Sequence, residues 1–207
     1  MYKIALVGQA GSGKNTAATL IEKALNKHHQ FKLKSASLAF ADPIKEIVKL
    51  MFPKVKRKHL YGPSKFRDTI IGGAFDEDGN FLTIRRALLD IGTKVGRGYD
   101  PNCWVHNMEE RIHQAIKNKC KIILVTDCRF TEESTWLKNE NFLLVNIVRD
   151  GAVKINHVSE TDQKNITGYD FIIDNNGTLD DLKKIIKNTL IPFITKKQVL
   201  RNNKALR

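Results

Sequence analysis

Cysteine is scarce in this sequence, and no long apolar run occurs. The 207 residues include three cysteines, and no two of them form a C-x-x-C pair. An odd count without such a pair argues against a disulfide framework or a structural zinc site and indicates a reducing cytosol. All apolar runs fall short of the roughly 20 residues that span a bilayer. The chain starts directly with a strand-like stretch, so we expect no signal peptide.

Acidic residues are also scarce in comparison with basic residues. The 22 Asp and Glu stand against 35 Lys and Arg, which gives a formal net charge of +13. Such a surface attracts polyanions such as nucleotides, nucleic acid or anionic membrane, although a lysine-rich solubilising surface explains the charge equally well. The content of 42% apolar and 28% charged residues is that of a globular protein. The length fits one α/β domain with insertions.

The apolar pattern predicts strands that alternate with helices. Continuous apolar runs are typical of parallel strands buried on both faces. Such runs occur at about residues 3–7, 121–127 and 142–148, and shorter strands are predicted at 36–41 and 169–173. Helical spacing occurs at 15–27, after Pro43, at 83–95, at 102–117 and after Thr178, and we expect Pro192 to end the last helix. This alternation predicts an α/β fold with a doubly wound, parallel five-stranded sheet.

A glycine-rich loop follows the first predicted strand. Residues Gly8 to Lys14 fit G-x-x-x-x-G-K between a strand and a helix, the context that supports a phosphate-binding loop, or P-loop. Glycines let successive N–H groups point inward, and the helix adds the positive end of its dipole. We expect Lys14 to reach the β- and γ-phosphates of ATP, and Asn15 could offer its carbonyl oxygen to Mg²⁺. The predicted ATP-binding residues are Gly11, Ser12, Gly13, Lys14, Asn15 and Thr16.

A second candidate cluster follows the predicted strand 121–127. Ligands of parallel sheets bind beyond the carboxyl ends of the strands, so we expect the P-loop and Asp127 to meet there. A carboxylate at this place can hold Mg²⁺, its water shell or an acceptor group, and Arg129 can grip a phosphate through two parallel hydrogen bonds. We therefore predict catalytic roles for Lys14, Asp127 and Arg129. Asn15 and Asp127 are the predicted metal ligands, directly or through water.

Phosphoryl transfer requires further positive charge. It depends on positioning and on neutralising the phosphoryl oxygens, so a kinase needs arginines besides its lysine. Each such residue alone is more often a solvated surface residue. Trp104 could stack on a base, or it could belong to the core. The further candidates are Asp42, Lys45, Arg67, Arg85, Arg86, Arg97, Arg149 and the segment His157-Val158-Ser159-Glu160.

Several short motifs occur in order along the chain. The first is the P-loop with its unusual ending Gly13-Lys14-Asn15-Thr16. The others are Phe40-Ala41-Asp42-Pro43-Ile44-Lys45, Thr83-Ile84-Arg85, Gly92-Thr93 with Gly96-Arg97, Trp104, Asp127-x-Arg129-Phe130-x-x-Glu133 and His157-x-Ser159-Glu160. Together, over about residues 3 to 182, they resemble the phage-type deoxynucleoside monophosphate kinases, which are P-loop nucleoside monophosphate kinases.

The resemblance implies a nucleoside-monophosphate-kinase fold, ATP and Mg²⁺ as cofactors, and transfer of the γ-phosphoryl group to a deoxynucleotide such as dGMP, dTMP or a dCMP derivative. We also predict a cytoplasmic enzyme, in a host cell if the chain is viral, that requires neither membrane nor nucleic acid. Only the resemblance suggests a homodimer. This family often has Asp where Asn15 stands and Gln where Leu89 stands. The predicted acceptor contacts are Asp42, Lys45, Arg67, Arg85, Gly92, Thr93, Trp104, Asp127, Arg129 and Glu133.

The predicted layout is a single kinase domain over residues 1–207. Its core comprises about residues 1–42 and 118–191, and an acceptor-binding insertion lies at about 43–117. Within that insertion, residues 53–82 are rich in glycine, proline and charge and predict a loop region with short helices. This region and the segment 150–165 are candidate lids that exclude water, with Arg149 and Glu160 as lid residues. The basic tail 192–207 is expected to be solvated and mobile.

Two other functions remain open at this point. A P-loop kinase for another small phosphorylated acceptor, such as phosphomevalonate or dephospho-coenzyme A, would have the same loop. A nucleic-acid-binding protein with a vestigial P-loop would use the basic surface, since phosphate neutralisation is generic. The sequence has no helix-turn-helix, zinc or stacking-ribbon signature of the latter class.

Overall fold

The computed structural model describes residues 1–151 and 162–205. The chain divides into two compact units, one formed by Met1–Ala39 with Glu110–Arg207 and the other by Phe40–Glu109. None of the helices within the described ranges combines the length and the apolar character needed to cross a bilayer.

The first unit contains a five-stranded parallel sheet. The strands are β1 (Tyr2–Val7), β2 (Ser35–Leu38), β5 (Ile122–Cys128), β6 (Leu143–Val148) and β7 (Phe171–Asp174). They run in the spatial order β2-β5-β1-β6-β7, and every neighbouring pair is parallel. Strands β1, β5 and β6 are buried over almost their whole length, as their continuous apolar sequences require. The predicted α/β class with a parallel five-stranded sheet is confirmed.

Helices cover this sheet, and their apolar stripes form the core with it. Helix α1 (Lys14–His28) places Ala17, Ala18, Ile21 and Leu25 in the same buried cluster as Ile4 and Leu6 of β1. These α1 positions recur at three- and four-residue spacing, which brings them onto one face of the helix. Among the described residues, further helices of this unit include α6 (Thr131–Asn139), α7 (Leu179–Ile185) and α8 (Ile191–Ala205).

The second unit is mainly helical. The elements of this unit are α2 (Ala41–Met51), α3 (Arg57–Tyr61), a 3₁₀ helix (Ser64–Asp68), β3 (Ile70–Phe75), β4 (Phe81–Thr83), α4 (Ile84–Asp90) and a π-helix (Ile91–Arg97). Helix α2 packs against α4 and against the π-helix that continues α4. Helix α5 (Cys103–Lys117) begins in this unit.

The hairpin formed by β3 and β4 was not predicted. Residues 53–82 were expected to form loops and short helices, whereas β3 and β4 pair in antiparallel fashion and stack Phe75 on Phe81. The turn is closed by the Asp76 N–H, which donates to the carbonyl of Asn80, and Gly79 takes a φ of +79°. An Asp-Gly pair between short apolar runs is a hairpin signal. Gly72 and Gly73 weaken the strand pattern in front of it, because glycine is disfavoured in strands.

The expectation for the C-terminus was wrong. Pro192 does not end the helical stretch, which passes from α7 through a π-helical turn (Ile186–Leu190) into α8. Pro192 stands at the second position of α8, directly after the wide π turn, where its missing N–H is tolerated. The basic tail is therefore helical as far as Ala205. Ile191 and Ile194 are buried in the core of the sheet unit, and Arg201 Nη1 donates to the carbonyl of Asn141 at 2.7 Å.

Replacement of Ile194 by alanine tests whether α8 is docked on the core. Ile194 is 1% exposed, and truncation of a buried isoleucine lowers the free energy of unfolding by about 2–5 kcal/mol. Val199 on the same helix is 57% exposed, so Val199→Ala should change this free energy by no more than about 0.5 kcal/mol. Urea denaturation of both variants gives the comparison. Equal, small effects would mean that α8 does not pack on the sheet unit.

Candidate active site

The loop between β1 and α1 has the backbone of an anion-binding site. Gly8, Gly11 and Gly13 have φ values of +146°, +82° and +99°, conformations that residues with a side chain rarely adopt. A Cβ on Gly8 would collide with the carbonyl oxygen of Ile147, so this position also requires glycine for space. The loop leads directly into the N-terminus of α1, which starts at Lys14 and has no acidic residue in its first turn. The first turn of this helix therefore adds no negative charge of its own to the positive end of the helix dipole.

The Lys14 side chain folds back over this loop. Its Nζ donates to the carbonyl oxygens of Gly8 at 2.5 Å and Gln9 at 2.7 Å, and the residue is buried. These acceptors are neutral carbonyls, which hold an ammonium group less strongly than a phosphate would. The ammonium group thus lies at the loop, within reach of an anion bound to the loop amides.

Ser12 supplies a test of whether a phosphate fits. Its Oγ is buried and has no hydrogen-bond partner among the described residues. A buried hydroxyl without a partner is unfavourable, so such an atom in a native site points to a missing ligand group. A phosphate oxygen would satisfy it. The side chains of Asn15 and Thr16 are exposed at the start of α1 and can reach a ligand there.

The end of β5 lies beside this loop and carries Asp127. Ala5 of β1 pairs with Val125, whereas Val7 pairs with Cys128, so β5 has one extra residue between these two pairs. Such a bulge bends the strand and redirects a side chain, and bulges are frequent next to active sites. The strand is fully buried up to Val125, and Thr126 and Asp127 are only half-buried. This pairing brings the carboxyl ends of β1 and β5 to the same place at the edge of the sheet, which is the arrangement expected for the P-loop and Asp127.

Glu133 holds the turn that follows β5. One of its carboxylate oxygens accepts hydrogen bonds from the N–H groups of Arg129 at 2.8 Å and Phe130 at 3.2 Å. Glu133 is 2% exposed and lies in the first turn of α6, where negative charge favours the helix. Its carboxylate thus fixes the backbone of Arg129, and Glu133 affects the site through this backbone. Arg129 itself is half-buried.

A cavity of about 160 Å³ lies next to Asn15. It is smaller than the roughly 300–1,000 Å³ of typical small-molecule sites. Its size suits a few water molecules or a hydrated ion. It lies between α1, β2 and β5 and is lined by Asn15, Ala18, Thr19, Glu22, Ser37, Leu124 and Thr126.

Magnesium fits the donors at this end of the sheet only together with a nucleotide. Within residues 1–151 and 162–205 no group of three His, Cys, Asp or Glu could hold a metal ion. Mg²⁺ is commonly bound by one or two carboxylates together with substrate phosphates and water. The Asn15 amide and the Asp127 carboxylate provide such a partial set of oxygens.

In the second unit, two predicted acceptor residues have acidic partners. Arg85 forms a two-pronged ion pair with Asp68, with Nε–Oδ1 at 2.6 Å and Nη2–Oδ2 at 3.2 Å. The Arg85 guanidinium lowers the pKa of Asp68. Lys45 is buried, and its Nζ donates to Asp42 Oδ1 at 3.0 Å. The same Nζ lies 4.6 Å from the ring centre of Tyr61, a cation–π arrangement that orients the ammonium group.

Tyr61 connects this lysine to a surface network. Its hydroxyl donates to Glu46, and burial, followed by this hydrogen bond, raises the pKa of Tyr61 to about 12. Glu46 also pairs with Arg57 at 3.0 Å. The ring of Tyr61 is therefore held in place between Lys45 and Arg57.

Trp104, Gly92 and Thr93 form a packed cluster around the π-helix. Trp104 is buried, its Nε1 donates to the carbonyl of Gly92 at 2.8 Å, and a Cβ on Gly96 would collide with its ring. Thr93 Oγ1 donates to the carbonyl of Leu89 at 2.6 Å. The sequence alone allows Trp104 to be either a base-stacking or a core residue, and in this structure it is a core residue. π-Helical turns occur frequently at functional sites, and this cluster holds the π-helix Ile91–Arg97 in place.

The remaining predicted residues differ in the exposure of their side chains. Arg149 follows β6 and is exposed, and Arg67 and Arg97 are half-buried. Glu160 and the rest of the motif from His157 lie outside the described residues.

The three cysteines remain without an assigned chemistry. Cys120 and Cys128 are buried and Cys103 is partly so. Burial, and secondarily the negative charges of Glu133 and Asp127, raises the pKa of the Cys128 thiol well above its usual range. Cys128 is thus a neutral thiol that packs at the end of β5.

Two buried amides that sequence reasoning missed brace the P-loop. Gln163 Nε2 donates to the carbonyl of Gly8 at 2.9 Å, and Asn175 Nδ2 donates to the carbonyl of Ser12 at 2.8 Å. Each residue is 7% exposed. Asn175 directly follows β7, so its position at the carboxyl edge of the sheet was a usable signal. Gln163 follows no predicted strand, and nothing in the sequence distinguishes it from a surface glutamine.

Comparisons with known proteins bear on the family of this chain. The family model for deoxynucleotide monophosphate kinase matches residues 66–186, more than half of the chain. A curated protein of Acanthamoeba polyphaga mimivirus, named "Putative deoxynucleotide monophosphate kinase", is 29% identical over 192 residues, which covers 87% of this chain and 92% of that protein. The crystal structure of TT1252 from Thermus thermophilus aligns with 93% of this chain and 98% of its own at a TM-score of 0.46 and 15% identity. From the extent of the family match, the chain belongs to the deoxynucleotide monophosphate kinase family.

Proposed function

We propose that this protein transfers the γ-phosphoryl group of ATP to a deoxynucleoside monophosphate and releases ADP and the deoxynucleoside diphosphate. The product would supply DNA synthesis, and the reaction would take place in the cytoplasm. The observation that carries the proposal is the P-loop beside the bulged end of β5, in a chain of the deoxynucleotide monophosphate kinase family.

The P-loop is the proposed site of the donor triphosphate. Backbone N–H groups of the loop and the N-terminus of α1 would face the phosphates, and the Ser12 hydroxyl would gain the partner it lacks among the described residues. Lys14 would exchange its hydrogen bonds with two neutral carbonyls for a contact with the β- and γ-phosphates. The lysine then stabilises the charge that is spread over the transferred group.

Asn15 and Asp127 are the proposed protein ligands of Mg²⁺, directly or through water. When bound, Mg²⁺ neutralises phosphate charge and holds the phosphates in place. The Asn15 amide is neutral, so the protein contributes less negative charge there than an aspartate would. The small cavity beside Asn15 leaves space for water.

Arg129 is the proposed contact for the acceptor phosphate. The Glu133 carboxylate holds the Arg129 backbone next to the bulge, so the guanidinium starts from a fixed point. A planar guanidinium can grip a phosphate through two hydrogen bonds. The family resemblance assigns Arg67 and Arg85 of the second unit to the acceptor, and Lys45 is a further candidate for it. In that unit Asp68 already holds the Arg85 fork in one orientation.

A panel of acceptors tests the proposed reaction. Each of the four common deoxynucleoside monophosphates, their ribose forms, phosphomevalonate and dephospho-coenzyme A would be incubated with γ-labelled ATP and Mg²⁺. We expect labelled product from at least one deoxynucleoside monophosphate. Transfer to a non-nucleotide acceptor alone would support the other small-acceptor kinases instead. Salt-sensitive duplex binding without any transfer would support the nucleic-acid-binding alternative.

Lys14→Ala should lower kcat by at least about a hundredfold, because loss of one electrostatic contact to the transition state typically has this effect. The fold should persist, since the ammonium group contacts loop carbonyls and not the apolar core. Lys23 is exposed on the same helix, and Lys23→Ala is the matched control. Steady-state kinetics give kcat for both variants, and circular dichroism shows whether each variant is folded. Near-normal turnover of Lys14→Ala would exclude the P-loop role.

Arg129→Ala should raise KM for the acceptor by about ten- to a hundredfold, which corresponds to the loss of a charged hydrogen bond. KM for ATP should change much less. Arg129→Lys retains the charge without the two-pronged fork, so it should recover only part of the loss. Unchanged acceptor kinetics in the alanine variant would contradict the assignment.

A further inference from the structure

We propose that Gln163 is a positioning residue that supports phosphate binding by holding the carbonyl of Gly8. This inference rests on the proposed function, because it assigns Gln163 a task at the same phosphate site. Gln163 lies far along the chain from the P-loop and has no titratable group. It would act through the loop backbone and would not touch the phosphates.

The contacts of Gln163 join two parts of the site. Its Nε2 donates to the carbonyl of Gly8 at 2.9 Å and lies 3.4 Å from the carbonyl of Cys128. An amide nitrogen has two hydrogens, so one side chain can serve both acceptors. Two carbonyl oxygens on the same side also determine which end of the amide faces them. One buried amide thus links the first residue of the P-loop to the end of β5, next to Asp127.

The neighbouring residue anchors the same segment. Asp162 Oδ2 accepts from the N–H of Thr131 at 2.6 Å and from its hydroxyl at 3.0 Å, at the start of α6. The Asp162-Gln163 pair is therefore attached to the P-loop, to β5 and to α6 at once. Gln163 is placed by this attachment and is 7% exposed, so its amide has little freedom to turn away.

The shared acceptor explains why this amide affects phosphate binding. The Gly8 carbonyl accepts from Lys14 Nζ as well as from Gln163. When Lys14 turns to a phosphate, it withdraws its hydrogen bond from this buried oxygen. A buried acceptor that loses its donor is costly, but Gln163 remains in place for Gly8. Without the amide, the Gly8 carbonyl would retain the lysine more strongly and the phosphates would be bound more weakly.

The test compares Gln163→Met with the matched change Gln114→Met. Methionine has a similar length and apolar stem but cannot donate to Gly8, and Gln114 is exposed on α5. ADP affinity is measured by calorimetry well below the melting midpoint of each variant, together with that midpoint. We expect the Kd for ADP to rise about tenfold in Gln163→Met, in proportion to the loss of one buried hydrogen bond, and to stay unchanged in Gln114→Met.

Two further variants keep the inference testable if Gln163→Met folds poorly. Gln163→Asn retains the amide on a shorter stem, so it should recover part of the ADP affinity. Gln163→Glu puts a carboxylate close to the Lys14 ammonium, so it should hold the lysine away from phosphate and weaken ADP binding more than methionine does. In kinetics, KM for ATP should rise in each variant while KM for the acceptor stays within about twofold.

The outcomes separate this inference from the proposed function. If the wild type binds ADP and transfers phosphate, and Gln163→Met lowers only the melting midpoint, Gln163 is merely structural and the inference is overturned. If the wild type neither binds ADP nor transfers phosphate, the proposed function fails and the inference fails with it. A selective loss of ADP affinity at full folding supports the positioning role.

Discussion

The site depends on the backbone at Gly8, where β1 ends and the P-loop begins. The carbonyl of Gly8 accepts from Lys14 and from Gln163, and the carbonyl of Ile147 leaves no room for a side chain on its Cα. Its φ of +146° is also one that residues with a side chain seldom adopt. The backbone of Gly8 is therefore constrained by close packing, by its φ angle and by two hydrogen bonds. These constraints set the direction in which the loop that follows it leaves β1.

The parallel sheet explains why distant segments meet around this residue. Strand β1 lies between β5 and β6, and β7 lies beside β6, so the carboxyl ends of four strands share one edge. Asp127 reaches that edge from β5, and Asn175 reaches it from β7. Asn175 is packed so closely on Gly13 that a Cβ there would collide with its amide nitrogen. The edge of the sheet thus provides both the loop and the groups that brace it.

Sequence patterns could predict the parts of this site that depend on local chemistry. Glycines, lysine and an amphipathic helix after an apolar strand predict a P-loop, and a carboxylate after a buried strand predicts a group at the same edge. The bulge beside Asp127 could not be predicted, because it appears only when β5 is paired with β1. Nor could Gln163, whose partners are backbone carbonyls that carry no sequence signal.

The same reasoning explains the errors in the predicted elements. A proline at position 192 predicts a helix end, but its effect depends on where the preceding hydrogen bonds lie, and here a π-helical turn precedes it. The β3–β4 hairpin was obscured by Gly72 and Gly73, although the stacking of Phe75 on Phe81 supports it. Local propensity was outweighed by packing in both cases.

The chemical type of the bracing groups is itself informative. Gln163 and Asn175 hold loop carbonyls with neutral amides, each buried next to a site that must accept several negative charges. A lysine in either place would compete with Lys14 for the phosphates, and a carboxylate would attract the Lys14 ammonium and repel the phosphates. In a buried environment such charges act strongly, because screening by water is weak. A neutral donor can shape the loop without changing the charge that the phosphates meet, so an amide is the side chain best suited to brace a phosphate site from behind.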